Sequence, residues 1–130
     1  MQEVYEFIKD AKTYFLATVD GDAPRVRPFG TIDIFEGKLY IQTGKRKDVY
    51  KQIVANPKIE ICASKGAEWI RVSAKAVPDE RLEPQVHMLE QYPELGSMYQ
   101  PGDGNNVVLY LEDVTAVIAS FVAPPKYIRF

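Results

Sequence analysis

Apolar residues in this chain recur mostly at every second position, in short runs that end at tight-turn sequences. That period belongs to half-buried strands. Tyr14-Phe15-Leu16-Ala17-Thr18-Val19 is a compact apolar run that stops at Asp20-Gly21-Asp22, a strong hairpin signal. From Pro24 to Phe35 the chain alternates, with Val26, Gly30, Ile32 and Ile34 on one face and Arg25, Arg27, Phe29, Thr31 and Asp33 on the other. Glu36-Gly37-Lys38 turns it back into Leu39-Tyr40-Ile41-Gln42-Thr43, which Gly44 ends. Ile59, Ile61 and Ala63 alternate with Lys58, Glu60 and Cys62, and after Lys65-Gly66 a fifth strand runs from Trp69 to Val77, broken by Pro78-Asp79. Val107 to Phe121 is long enough for one bent strand or a hairpin around Glu112-Asp113.

Between these runs the period lengthens. Val4, Phe7, Ile8 and Ala11 form one stripe of an opening helix. Lys47 to Ala55 reads as a second helix, buried through Val49, Tyr50, Ile53 and Val54, with Pro57 past its end. Leu82, Val86 and Leu89 mark a third, which admits Pro84 in its first turn. Tyr92 to Asn106 reads as loop, with Met98 and Tyr99 as candidate cleft residues. No repeat or linker divides the chain. Six strands joined by short turns, with interspersed helices, predict one α+β domain over residues 1–130, built on an antiparallel barrel.

Composition narrows the chemistry. One cysteine, Cys62, excludes an internal disulfide or a cysteine-based zinc site, and one histidine, His87, excludes a two-histidine metal motif. No metal site is expected. Sixteen Lys and Arg against eighteen Asp and Glu leave a net charge of -2, with no global pull toward nucleic acid or anionic lipid. No apolar run approaches the roughly 20 residues of a membrane-spanning helix. The N-terminus is acidic and periodic, unlike a signal peptide, so a cytoplasmic location is expected.

Chemistry concentrates in Gln42-Thr43-Gly44-Lys45-Arg46-Lys47, at a strand-to-helix junction. Backbone N–H groups at a helix start are unpaired and attract anions, and the macrodipole disfavours cations there unless an anion neutralises them. The segment reads either as an anion site or as a solvated basic turn; P-loop spacing is absent. Arg25 and Arg27 project from one strand face in Arg25-Val26-Arg27-Pro28-Phe29, beside a ligand or into solvent. Trp69 either offers its ring to a flat ligand or packs in a core or interface. Neither His87 nor Cys62 sits in a pairing motif for nucleophilic catalysis, and no carboxylate pair stands out. A chain with an anion site, arginines and aromatic surface, but no evident acid, base or nucleophile, is suited to borrow reactivity from a phosphate-bearing cofactor.

Phe15-Leu16-Ala17-Thr18, Arg25-Val26-Arg27-Pro28-Phe29-Gly30, Leu39 to Lys47, Gln52-Ile53-Val54-Ala55-Asn56-Pro57-Lys58-Ile59 and Trp69 to Ala76 follow one another in an order and spacing that resembles the pyridoxamine 5'-phosphate oxidase-like FMN-binding split-barrel proteins, in their short single-domain form. The resemblance implies a six-stranded antiparallel split β-barrel with flanking helices, and a homodimer with FMN in clefts between subunits. It also implies that Arg27, Pro28 and Phe29, with Arg25 beside them, line the flavin, and that Gln42 and Thr43 meet its ring edge or ribityl chain. Arg46 and Lys47, helped by Lys45, would pair with the phosphate, and Trp69 would stand near the ring. The implied function is an FMN-dependent oxidoreductase acting on a small molecule with a nicotinamide donor. A non-catalytic FMN store or redox sensor is the alternative, and a deazaflavin or haem in the same cleft a third reading. Past Phe121 the family's C-terminal Trp and Arg contacts have no counterpart, so true pyridoxamine phosphate oxidation is not expected.

Overall fold

The turns behave as their residues require. Gly21 and Gly37 take φ of +63° and +74°, the left-handed region that costs glycine nothing, and each closes a tight hairpin. The computed structural model describes residues 1–130. Its elements are α1 (Gln2–Ala11), β1 (Tyr14–Asp20), β2 (Ala23–Phe29), β3 (Asp33–Phe35), β4 (Lys38–Gly44), α2 (Asp48–Ala55), β5 (Lys58–Lys65), β6 (Glu68–Asp79), α3 (Leu82–Gln91), a 3₁₀ turn (Pro93–Ser97), β7 (Asn106–Ser120) and β8 (Lys126–Arg129). The strands form one antiparallel sheet in the order β2-β1-β5-β6-β7-β4-β3, with β8 added to β7.

The α+β class holds, but the sheet has eight strands rather than six, and the barrel is not closed. One added strand comes from a break in the run from Pro24 to Phe35. There the Thr31 hydroxyl accepts from Gln42 N–H at 3.1 Å and approaches Gln42 O at 3.3 Å, while Ile32 N–H donates to the Tyr92 hydroxyl at 3.0 Å. Side chains thus replace ladder bonds, and the strand splits into β2 and β3. Each pairs on one side only, so two free edges remain where closure would need a ladder. The other added strand, β8, pairs Ile118 to Thr115 with Lys126 to Arg129.

Val107 to Phe121 forms one strand, bent at a bulge. Ser73 pairs with Thr115 and Lys75 with Glu112, so two residues of β7 oppose one of β6, and Asp113 takes φ +53°. Val114 turns instead to the C-terminus, exchanging both backbone hydrogen bonds with Phe130. β6 runs on through Pro78, because β5 pairs with it only as far as Lys75 and the missing donor faces no ladder.

The inner face is the core. Val4, Phe7 and Ile8 of α1 pack with Leu16, Ile41, Ile61, Ile70, Val72, Leu109 and Ala116. Burying each large aliphatic side chain contributes about 1.5–3 kcal/mol. The outer face of β1, β2 and β5 is open: Val26, which alternation groups with Ile32 and Ile34, is 67% exposed and Phe15 49%. The parity of β2 is set by its pairing. Arg27 lies opposite buried Leu16, which places Val26 outside with its partner Ala17.

Candidate functional site

β4 ends where a side chain would no longer fit. A Cβ on Gly44 would lie 2.9 Å from the Tyr99 hydroxyl and 3.2 Å from the Asn105 amide. The following turn is fixed by Lys45 N–H to Asn105 O at 2.7 Å, Arg46 N–H to Asn105 Oδ1 at 3.0 Å and Lys47 N–H to Gly44 O at 3.1 Å. Lys47 then caps α2 with extended backbone and no side-chain capping bond. Asp48, in the first turn, suits the helix dipole.

The three adjacent cations diverge. Lys45 Nζ donates to Glu80 Oε2 at 2.8 Å, and that bond outweighs burial to raise its pKa. Arg46 is exposed at the turn, its side chain unpaired within the chain. Lys47 also has no side-chain partner, and it borders a cavity of about 310 Å³.

This cavity lies where the end of β2 and the C-terminal half of β4, beyond its pairing with β3, approach the segment after α3. Six candidates from the sequence line it: Arg27, Pro28, Phe29, Gln42, Thr43 and Lys47. Met98 and Tyr99 line it too. Gln42 and Thr43 are mostly buried as residues, and since no buried side-chain polar atom lacks a partner, their two unpaired oxygens are accessible at the cavity surface. Gln42 Nε2 donates to Asn106 Oδ1 at 2.8 Å and Thr43 O at 3.2 Å, which leaves Gln42 Oε1 for another donor. The Thr43 hydroxyl makes no hydrogen bond within the protein, although Thr43 is only 3% exposed.

Arg27 is held in place from behind. Its Nη1 donates to Thr18 Oγ1 at 2.8 Å and Leu16 O at 3.2 Å, and its Nη2 to Gln52 Oε1 at 2.7 Å. Burial lowers its pKa from the usual arginine value, with Asp48 opposing. Arg25 lines an adjoining hollow with Arg27, Lys47 and Gln52, while its Nε donates to Asp20 at 3.0 Å.

Three candidates lie outside both hollows: Lys45, Arg46 and Trp69. Trp69 is on the outer sheet face, its ring centroid 5.0 Å from that of Phe121. The sequence reading missed Thr31, Tyr92, Glu94 and Leu95 in the cavity wall, and Thr18 and Gln52 behind Arg27. Thr18 carried a signal, being a polar residue on the face that Tyr14 and Leu16 bury. Tyr92 carried none, since only the fold brings its hydroxyl to the backbone of Ile32.

The site therefore combines a free ammonium, a braced guanidinium, paired amide and hydroxyl acceptors, and aromatic walls from Phe29 and Tyr92. Comparison with known proteins places the chain that carries this site in a family. No curated protein matches the sequence. Among solved structures, a NimC/NimA family protein from Clostridium acetobutylicum is 38% identical, with a TM-score of 0.97 over 100% of this chain and 92% of that one. General Stress Protein 26 from Bacillus anthracis shares the fold at 20% identity and a TM-score of 0.73, covering 99% and 98% of the two chains. A pyridoxamine 5'-phosphate oxidase-related, FMN-binding protein from Nostoc punctiforme shares it at 16% identity and a TM-score of 0.66, covering 98% and 92%. The family model for pyridoxamine 5'-phosphate oxidase matches residues 1–116, from α1 across the candidate site into β7, and the chain belongs to that family.

Proposed function

We propose that the chain is an FMN-dependent oxidoreductase, a single flavin domain over residues 1–130 that acts on a small molecule with a reduced nicotinamide as donor. The observation that carries this reading is Lys47, an unpaired ammonium at the start of α2 that closes one end of a cavity with unpartnered acceptors in its wall. These groups fit FMN. Lys47 and Arg27 would hold the phosphate, with Arg25 in the adjoining hollow and Lys45 and Arg46 adding positive potential. Gln42 Oε1 and the Thr43 hydroxyl would meet the ring edge or ribityl chain, and Pro28 and Phe29 would line the ring. Bound flavin supplies hydride and single-electron chemistry; the protein orients it and excludes water with Leu95, Met98 and Tyr92. A fold neighbour described as FMN-binding supports the assignment.

The same reading includes a homodimer formed through the open outer face. Trp69, on that face, would approach a flavin only across the subunit boundary. Oxidation of pyridoxamine phosphate is not part of the proposal.

The test is retention. Purified protein mixed with FMN and desalted is expected to keep flavin absorption bands at about one flavin per chain. Lys47→Ala is expected to raise the FMN Kd about tenfold or more, since a hydrogen bond to a charged group contributes about 1.5–3 kcal/mol. A colourless wild-type protein sinks the reading. Retained flavin that neither NADH nor NADPH reduces moves the conclusion to an FMN store or redox sensor.

A further inference from the structure

Arg27 uses three of the five N–H donors of a guanidinium inside the protein, all on acceptors that carry no charge. Nη1 donates to Thr18 Oγ1 and Leu16 O, and Nη2 donates once, to Gln52 Oε1. The identity of each atom is forced. Arginine only donates, so Gln52 must turn its amide oxygen, not its nitrogen, toward the guanidinium. Thr18 Oγ1 accepts from Arg27, which leaves its own proton for Gln52 Oε1. The three side chains close a ring of hydrogen bonds with one consistent set of donors.

That ring decides which edge of the guanidinium stays free. Thr18 Oγ1 and Gln52 Oε1 are bonded to each other, so together they meet the end of the fork between Nη1 and Nη2. Leu16 O takes the other proton of Nη1. What remains is Nε–H and the second proton of Nη2, a parallel pair along one side of the plane. Such a pair can meet two oxygens of one anionic group at once. It has no acceptor within the chain, and Arg27 lines both the cavity and the adjoining hollow.

Gln52 also reaches between elements. It lies on α2, which begins after Lys47, and is the one side chain of that helix to hydrogen-bond outside it. Its partners stand on β1 and β2. One amide oxygen therefore sets the helix that starts at Lys47 against the strand that carries Arg27. A carboxylate in its place would grip the arginine harder but cancel its charge. None does so: Asp20 in the same hollow pairs with Arg25, and Asp48 attracts the Arg27 guanidinium without bonding to it.

We infer that Gln52, with Thr18, is the positioning group of the cavity's basic end, a neutral acceptor that presents the free edge of Arg27 to an oxyanion and ties it to Lys47 without cancelling its charge. This role rests on the flavin reading above, in which the oxyanion is the FMN phosphate. Gln52 itself makes no contact with the cofactor, so its effect is confined to ligands that carry the anion.

Riboflavin, which is FMN without the phosphate, is the control. Gln52→Glu keeps an oxygen of the same reach on Arg27 and changes its charge. It is expected to melt at or above the wild-type temperature and to leave the riboflavin Kd within about twofold. Its FMN Kd is expected to rise about tenfold or more, the scale of one charge-assisted hydrogen bond. Gln52→Leu, which frees Arg27, is expected to raise the FMN Kd about threefold to tenfold, the cost of immobilising one long side chain on binding, again with riboflavin unmoved. Thr18→Ser, which keeps the hydroxyl, should bind FMN as the wild type does. A merely structural tie gives a different pattern: Gln52→Glu harmless, and Gln52→Leu equally damaging to both flavins. Wild-type FMN affinity in Gln52→Glu, or parallel losses of riboflavin and FMN in either variant, overturns the inference. Titration of flavin-free protein with inorganic phosphate, followed by phosphorus NMR line broadening, separates this failure from that of the flavin reading. Phosphate binding that Gln52→Glu weakens, in a chain that retains neither flavin, keeps the positioning role and sinks the flavin reading. Retained FMN indifferent to Gln52 sinks the positioning role alone, and a chain that binds neither FMN nor phosphate sinks both.

Discussion

Whether a charged side chain can serve a ligand depends on the partner it already has. Lys45 and Lys47 stand two positions apart, yet Glu80 occupies one ammonium and nothing in the chain occupies the other. The same rule makes Asp79 structural. It is nearly buried, accepts from Arg81 Nη2 at 2.9 Å and from the Tyr40 hydroxyl at 2.7 Å, and its pKa is lowered to about 2, chiefly by Arg81. The ordinary value is 3.8, so folding favours the ionised form. This stabilisation is complete above pH 3.8 and is lost as pH falls toward about 2. Tyr40 is the mirror case, pushed up to about 12 by burial and then by Asp79, so the neutral phenol is favoured and its contribution fades only as pH rises from 10 to about 12. Asp79→Asn should flatten the acid limb of stability in the lower window. Denaturant titrations of both proteins at several pH values check it, and parallel acid limbs would show that the network is not the source.

At the scale of elements, the sequence exposed the three helices, the hairpins and the turn after β4, because each is written in local period or turn chemistry. It did not expose the break between β2 and β3, which Thr31 and Tyr92 create through partners far along the chain. Nor did it show β8, a four-residue strand defined by its pairing with β7. Most of the basic end of the cavity was legible for the same local reason, and Met98 and Tyr99 stood out in the loop, whereas Tyr92, Glu94 and Leu95 did not, because tertiary packing brings them there. Gly44 joins the two kinds of information: it reads as a strand end, and the fold makes it the seat of the Tyr99 hydroxyl. Gly44→Ala would place a methyl 2.9 Å from that oxygen and push Tyr99 and Asn105 outward. The expected result is a stability loss of about 1–3 kcal/mol, the usual range for overpacking, together with weaker FMN retention because Tyr99 lines the cavity. Unchanged melting and unchanged FMN affinity would show that the loop yields freely.

Across the whole molecule, the alternation that buries Tyr14, Leu16 and Thr18 exports a largely apolar row interrupted by Arg71. In register, Pro28, Phe15, Cys62, Arg71, Val117 and Tyr127 cross the outer face from β2 to β8. Phe15 and Tyr127 in that row are 49% and 58% exposed, and Phe121 at its margin is 93% exposed. Exposed aromatic side chains gathered on one face suit an interaction surface. A second copy of the chain would bury it, and Pro28 connects it to the site, since the same residue also lines the candidate cavity. The protein is therefore expected to scatter light as a dimer at micromolar concentration. Phe15→Glu, which places a charge in the row without touching the cavity, should give a folded monomer by light scattering and circular dichroism. If the partner completes the clefts, that monomer also loses FMN, although every cavity residue of its own chain is intact. A monomer that keeps full FMN affinity would confine the cofactor to a single chain, and a wild-type monomer would leave the outer face without its proposed partner.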